Sequence, residues 1–148
     1  MFGIGDMIGA VAQGQVVDRL GSRIGCVVNV LTIIIASGVS FIQIHDDNYN
    51  WITFLMTFAW GFCDGCVNVH SNQMMGFEFA TSSDPYSIFN TVQSVAIVSF
   101  NLFQGAVVNT ENTRSLELYT LGIMIIGCLT CGITFFFKFK KFDKVVAK

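Results

Sequence analysis

The sequence predicts an all-α fold, a multi-pass transmembrane helix bundle, and three observations carry that expectation. Hydrophobic residues make up 53% of the 148 residues and charged residues only 12%, which is far from the balance of a water-soluble domain. Five apolar stretches, about 1–17, 24–44, 51–69, 86–108 and 116–137, approach or exceed the roughly 20 residues a helix needs to cross hydrocarbon. Seven of the eight lysines and arginines lie in two places: Arg19 with Arg23, and the tail 138–148. Alternating the five crossings puts both places on one side of the bilayer and Arg114 on the other. The positive-inside rule makes the richer side cytoplasmic. Residues 1–148 are thus expected to form a single membrane domain. It starts outside, turns inside at 18–23 and 70–85, and ends in a basic cytoplasmic tail, 138–148.

The first stretch has no leading cation, carries Asp6, and holds glycine where a signal peptide has a leucine-rich core, so it reads as a helix that stays in the protein. Met1 opens directly onto apolar residues, the pattern expected of a truncated chain. Gly5 and Gly9 form a Gly-x-x-x-Gly step that Gln13 continues, a ladder that lets a neighbouring backbone approach closely. The hinge to the second stretch, Gly14 to Arg23, combines charge with glycine, as a turn leaving the hydrocarbon requires.

In the second stretch Asn29, Thr32, Ser40 and Gln43 fall on one face when each residue is turned by about 100°. The fourth repeats the spacing with Asn90, Gln93, Asn101 and Gln104, while Ile88, Val92, Val95 and Leu102 occupy the other side. Such stripes serve either as interhelical hydrogen bonds, worth about 0.6 kcal/mol each in membranes, or as the wall of a hydrated cavity. Two stripes of four polar residues exceed what bundle contacts need and tilt the reading toward a cavity.

The third stretch carries Asp64, and a carboxylate within a span costs roughly 2.5 to 3.5 kcal/mol. The seven Leu, Ile, Phe and Val residues of that stretch return about as much, so it needs neighbours, which Asp64 is expected to face. Asn68 follows one turn later on the same face. The two side chains fit an interhelical hydrogen bond, a shared proton or a shared cation, and Asp6 admits the same readings. The fifth stretch ends in Phe135, Phe136 and Phe137 before Lys138, Lys140 and Lys141, an aromatic and basic anchor at the headgroup level.

Two Cys-x-x-Cys pairs, Cys63 with Cys66 and Cys128 with Cys131, have the spacing of thiolate metal ligands. Both lie inside expected spans, where that spacing simply sets two small apolar side chains on one helical face, and no metal is expected. His45, beside Asp46 and Asp47, reads as a solvated outer loop, and His70 as a helix end. No nucleophile stands with a base, and no glycine-rich phosphate loop follows a strand. Neither an enzyme, a cofactor nor a nucleic-acid partner is expected.

Gly14, Asp18, Arg19, Gly21 and Arg23 together resemble the cytoplasmic loop signature of the major facilitator superfamily, with Ser22 standing where a second basic residue is common. A second segment resembles the uncoordinated-93 branch of that superfamily: Gly61, Asp64 and Asn68, then Gly76, then Phe89, Gln93 and Ser94, with Asn90 in place of the usual basic residue. The resemblance runs from residue 3 to about 137. It implies helices eight to twelve of a twelve-helix protein, a partial carboxy-terminal half without helix seven and the amino-terminal half.

The resemblance implies transport of a small solute or ion by the complete protein, or regulation and trafficking of ion channels or receptors. An inactive truncated product is a third possibility. Substrate in this superfamily binds between the two halves, so the expected partners are the lipid bilayer and the missing half or another membrane protein. The residues expected on a pathway are Asp64, Asn68, Asn90, Gln93 and Asn101.

Overall fold

A computed structural model of the chain describes residues 1–46, 49–79, 83–107 and 113–137. They form five helices: α1 (Phe2–Leu20), α2 (Ser22–Asp46), α3 (Trp51–Glu78), α4 (Ser83–Val107) and α5 (Thr113–Phe135). The basic tail 138–148 and Asp47 lie outside the described residues. Three helices, α2, α3 and α5, are long and apolar enough to cross a membrane. Asp6, Asp18 and Arg19 in α1, and the amides and hydroxyls of α4, keep those two below that mark. Their place in a bilayer depends on what they pack against.

The hinge expected at 18–23 shrinks to one residue, because Asp18 and Arg19 complete α1 and Ser22 already opens α2. Gly21 alone breaks the helix, with φ 86° and its N–H bonded to Val17 O at 3.0 Å. That left-handed backbone is open to glycine and strained for other residues. The third helix runs nine residues past its expected limit at 69. His70 to Gln73 are polar yet good enough helix formers, so the helix outlasts its apolar stretch, and most of the turn expected at 70–85 is helical. At the other end Asn50 caps α3, its Oδ1 accepting from Ile52 N–H at 3.4 Å.

The main packing contact joins α1 to α3 along most of α1. One stripe of α1 is buried, Gly5, Gly9, Gln13 and Val17, four residues apart and therefore on one face. The facing stripe of α3 is built alike. A methyl added at Gly5 would run into the carbonyl oxygen of Phe58, and one at Gly9 into that of Phe62. From the other side, Gly61 faces the carbonyl of Phe2, and Gly65 that of Asp6. The two backbones touch through four glycines, two from each helix. Cys66 closes the same seam, its thiol donating to Gly9 O at 3.4 Å, and Gln73 Nε2 donates to Asp18 Oδ1 at 3.0 Å.

α2 packs between α3 and α5, and a smaller contact joins it to α1. Its centre is an apolar cluster of Ile33, Ala36 and Cys63, joined by Trp60, Met124, Cys128 and Cys131. α4 stands apart. It meets α3 and α5 only lightly: Tyr86 donates to Asn72 O at 2.9 Å, and Phe103 lies against Tyr119 with ring centroids 6.4 Å apart.

Gly9→Leu and Gly65→Leu should each lower the thermal stability of the detergent-solubilised chain by about 2 kcal/mol or more, since backbone has nowhere to move. Gly3→Leu, at a position where an added Cβ meets nothing within 4 Å, should leave the melting curve unchanged.

Candidate functional site

The two polar stripes have different fates. That of α2 is inside the bundle: Asn29, Thr32 and Ser40 are buried, and Ser37 joins them. Ser40 Oγ accepts from the Trp60 indole N–H at 2.8 Å and donates to Ala36 O at 2.9 Å. Thr53 of α3 donates to Gln43 Oε1 at 3.1 Å, and Thr32 donates to Asn29 O at 2.9 Å. This stripe is a hydrogen-bonded seam, the plainer of its two sequence readings.

The seam ends in a hub that the sequence did not announce. His70, read as a helix end, is 6% exposed. Asn29 Nδ2 donates to its Nδ1 at 3.0 Å, so Nε2 carries the proton and donates to Ser22 Oγ, also at 3.0 Å. Gln13, fully buried, donates to Gly25 O at 3.0 Å in the same region. Three helices meet around Gly25 of α2: Ser22 and Asn29 of the same helix hold His70 of α3, and Gln13 reaches Gly25 from α1. Among the described residues, Gln13 Oε1 and Asn29 Oδ1 have no hydrogen-bond partner.

The stripe of α4 is open. Asn90, Asn101 and Gln104 are exposed, and Gln93 is half-buried. Gln93 Nε2 donates to Asn68 Oδ1 at 3.4 Å, and Asp64 stands one turn before Asn68 on the same face of α3. The structure therefore brings three of the expected pathway residues, Asp64, Asn68 and Gln93, into one run across α3 and α4. It does not bring in Asn90, whose backbone carbonyl serves Ser94 Oγ at 2.8 Å, or Asn101. Asp6 of α1 lies close enough to Asp64 for their charges to interact. Asp64 was expected to turn to its neighbours. It remains exposed, yet it borders a cavity of about 350 Å³ whose wall includes Phe2, Ile33, Trp60 and Ile123. A second cavity, of about 430 Å³, shares Trp60 and Ile123 with the first and adds Ser40, Gln104, Tyr119 and Thr120.

In the loop motif, Asp18 accepts from Gln73 while Arg19 and Arg23 are exposed. Gly14 faces Val69 at ordinary contact distance, so an added methyl would be tolerated there. Cys128 and Cys131 share one face as expected, both packing on the cluster around Ile33, but the other pair divides. Cys63 faces the α2 and α5 cluster whereas Cys66 faces α1, because a three-residue step turns a side chain through about 60° of net rotation, enough to reach a different neighbour. Among the described residues, no three histidine, cysteine or acidic side chains are placed to hold a metal ion. His45, expected in a solvated loop, is exposed on the last turn of α2 and pairs with Glu117 of α5, Nε2 to Oε1 3.2 Å.

The helices and their apolar composition make the chain a helical membrane protein. Compared with known protein families, curated proteins and solved structures, it matches none.

His70→Leu should destabilise the bundle by about 1 to 3 kcal/mol, because it leaves the Ser22 hydroxyl and the Asn29 amide buried without their partner. Thermal unfolding of the purified protein checks this, and His70→Gln should recover part of the loss.

Proposed function

We propose that the chain forms part of a transporter that moves a small solute or ion by alternating access, with Asp64, Asn68 and Gln93 on its pathway. The observation that supports this best is the placing of Asp64 on the wall of a cavity of small-molecule size, with Asn68 one turn further along α3 hydrogen-bonded to Gln93 of α4. A carboxylate in a span is costly in hydrocarbon and is retained where it meets water, ions or substrate. The light attachment of α4 agrees with a helix that shifts against the rest of the bundle.

The resemblance of the Gly14 to Arg23 loop and of the Gly61 to Ser94 segment to the uncoordinated-93 branch of the major facilitator superfamily points the same way. In that reading the five helices are the eighth to twelfth, the carboxy terminus is cytoplasmic, and the amino-terminal half or another membrane protein completes the substrate site.

A second reading, regulation or trafficking of an ion channel or receptor, draws on the exposed amides of α4. Asn90 and Asn101 facing lipid are unfavourable, and a partner helix would satisfy them. Replacing both by leucine should then abolish co-purification with that partner while leaving solute flux as it was.

For the transport reading, vesicles carrying the chain with its native partners and loaded with a pH-sensitive dye are offered a panel of small solutes. Asp64→Asn should abolish chain-dependent flux or uncouple it from protons, with folding and membrane level unchanged. Unchanged coupled flux in this variant refutes the assignment of Asp64.

A further inference from the structure

We infer that the paired cavities around Trp60 bind a lipophilic organic cation, a molecule with a positively charged centre and an apolar, aromatic-sized body. The inference rests on the transport reading for its purpose and names the class of ligand that the same site takes.

Three features select this chemistry. The first is charge. Asp64 lies on the wall of the smaller cavity, with Asp6 near enough to add its field, and among the described residues no lysine, arginine or histidine lines either cavity. A cation entering here gains a carboxylate and displaces no bound basic group, whereas an anion meets only repulsion.

The second is the aromatic wall. Trp60 borders both cavities, and its N–H is committed to Ser40 at 2.8 Å, which fixes the indole in place. Indole is the best of the aromatic side chains for holding a cation against its face, and a positioned ring surrenders little freedom on binding. Tyr119 adds a second ring in the larger cavity, itself braced by Phe103 at 6.4 Å.

The third is size and polarity. Cavities of about 350 and 430 Å³ that share a wall exceed the needs of a bare metal ion or a small inorganic ion, and Ile33, Val67 and Ile123 make the smaller one largely apolar. The remaining polar groups, Ser40, Thr120 and Gln104, gather in the larger cavity, away from the carboxylate. A ligand that spans the pair thus has its charge at the Asp64 end and an uncharged polar group, if it has one, at the other.

Tetraphenylphosphonium and tetraphenylborate share size and shape and differ in the sign of their charge, so they isolate the electrostatic part of recognition. Their binding is measured with the 148-residue chain in nanodiscs of zwitterionic lipid, after subtraction of binding to empty nanodiscs. Tetraphenylphosphonium should bind saturably and at least about tenfold more tightly than tetraphenylborate. Asp64→Asn should weaken it by about tenfold or more, as the loss of a charge-assisted contact predicts, and Asp64→Glu should restore most of the affinity.

A variant with Trp51→Phe leaves Trp60 as the sole tryptophan. Its emission should change on addition of tetraphenylphosphonium with the same saturation curve, which reads the site without altering its carboxylate. Equal binding of the two ions, binding indifferent to Asp64→Asn, or an unresponsive Trp60 would overturn the inference. Transport of a solute that tetraphenylphosphonium fails to inhibit would overturn it too and leave the transport reading standing. Saturable, Asp64-dependent binding without flux of any solute would do the reverse.

Discussion

Backbone-to-backbone contact between α1 and α3 is the constraint on which the remaining structure depends. Hydrophobic burial gives helices in lipid little reason to associate, so the drive comes from close packing and from hydrogen bonds that lipid cannot offer. Gly5 and Gly9 meeting Phe58 and Phe62, and Gly61 and Gly65 meeting Phe2 and Asp6, supply that closeness from both sides. Two consequences follow for α1, which is too polar to count among the strongly apolar helices. It is held by contact area along its length, and its fourth buried position, Val17, delivers the chain to Gly21. There a single left-handed glycine turns the chain into α2 and sets Ser22 against His70. The same seam fixes the rotation of α3, which carries Asn68 to Gln93 of α4 and Asp64 to the cavity beside Phe2, Ile33 and Ile123.

A division of labour among polar groups results. On α2 most of them turn into the bundle: hydroxyls and amides pair with Trp60, Thr53 and His70, and between the charged ends of the helix the exposed side chains are apolar. On α4 four amides at the same spacing find, among the described residues, one side-chain partner, Asn68, and are otherwise largely exposed. Helix periodicity specifies a face, but the neighbour of that face is decided by the whole bundle, which is why two stripes of the same spacing came out differently.

Much of this was legible beforehand and some was not, for physical reasons. The helices follow from long apolar runs, and the buried face of α1 from the four-residue glycine step. The partner stripe on α3 was hidden because Gly61 read as part of the motif around Asp64, although with Gly65 it makes the same Gly-x-x-x-Gly step. His70 could not be foreseen: its partners are 41 and 48 residues away in the chain, and nothing local marks a histidine that will be buried. Ser22 owes its place to the same contact. A short hydroxyl reaches the imidazole, whereas a lysine or arginine there would carry a charge into a buried, hydrogen-bonded site.

The central claim is that α2 presents a dry seam and α4 a wetted wall, and thiol accessibility tests it most directly. With the five native cysteines changed to alanine, single cysteines at Ser37, which is 0% exposed, and at Gln104, on the larger cavity, are treated in sealed vesicles and after permeabilisation with a charged, membrane-impermeant thiol reagent. Rapid labelling of Gln104→Cys beside full protection of Ser37→Cys is the predicted result. Equal protection of both would mean that α4 faces lipid or a dry contact, and equal labelling would mean that α2 is not a seam; either outcome contradicts the account.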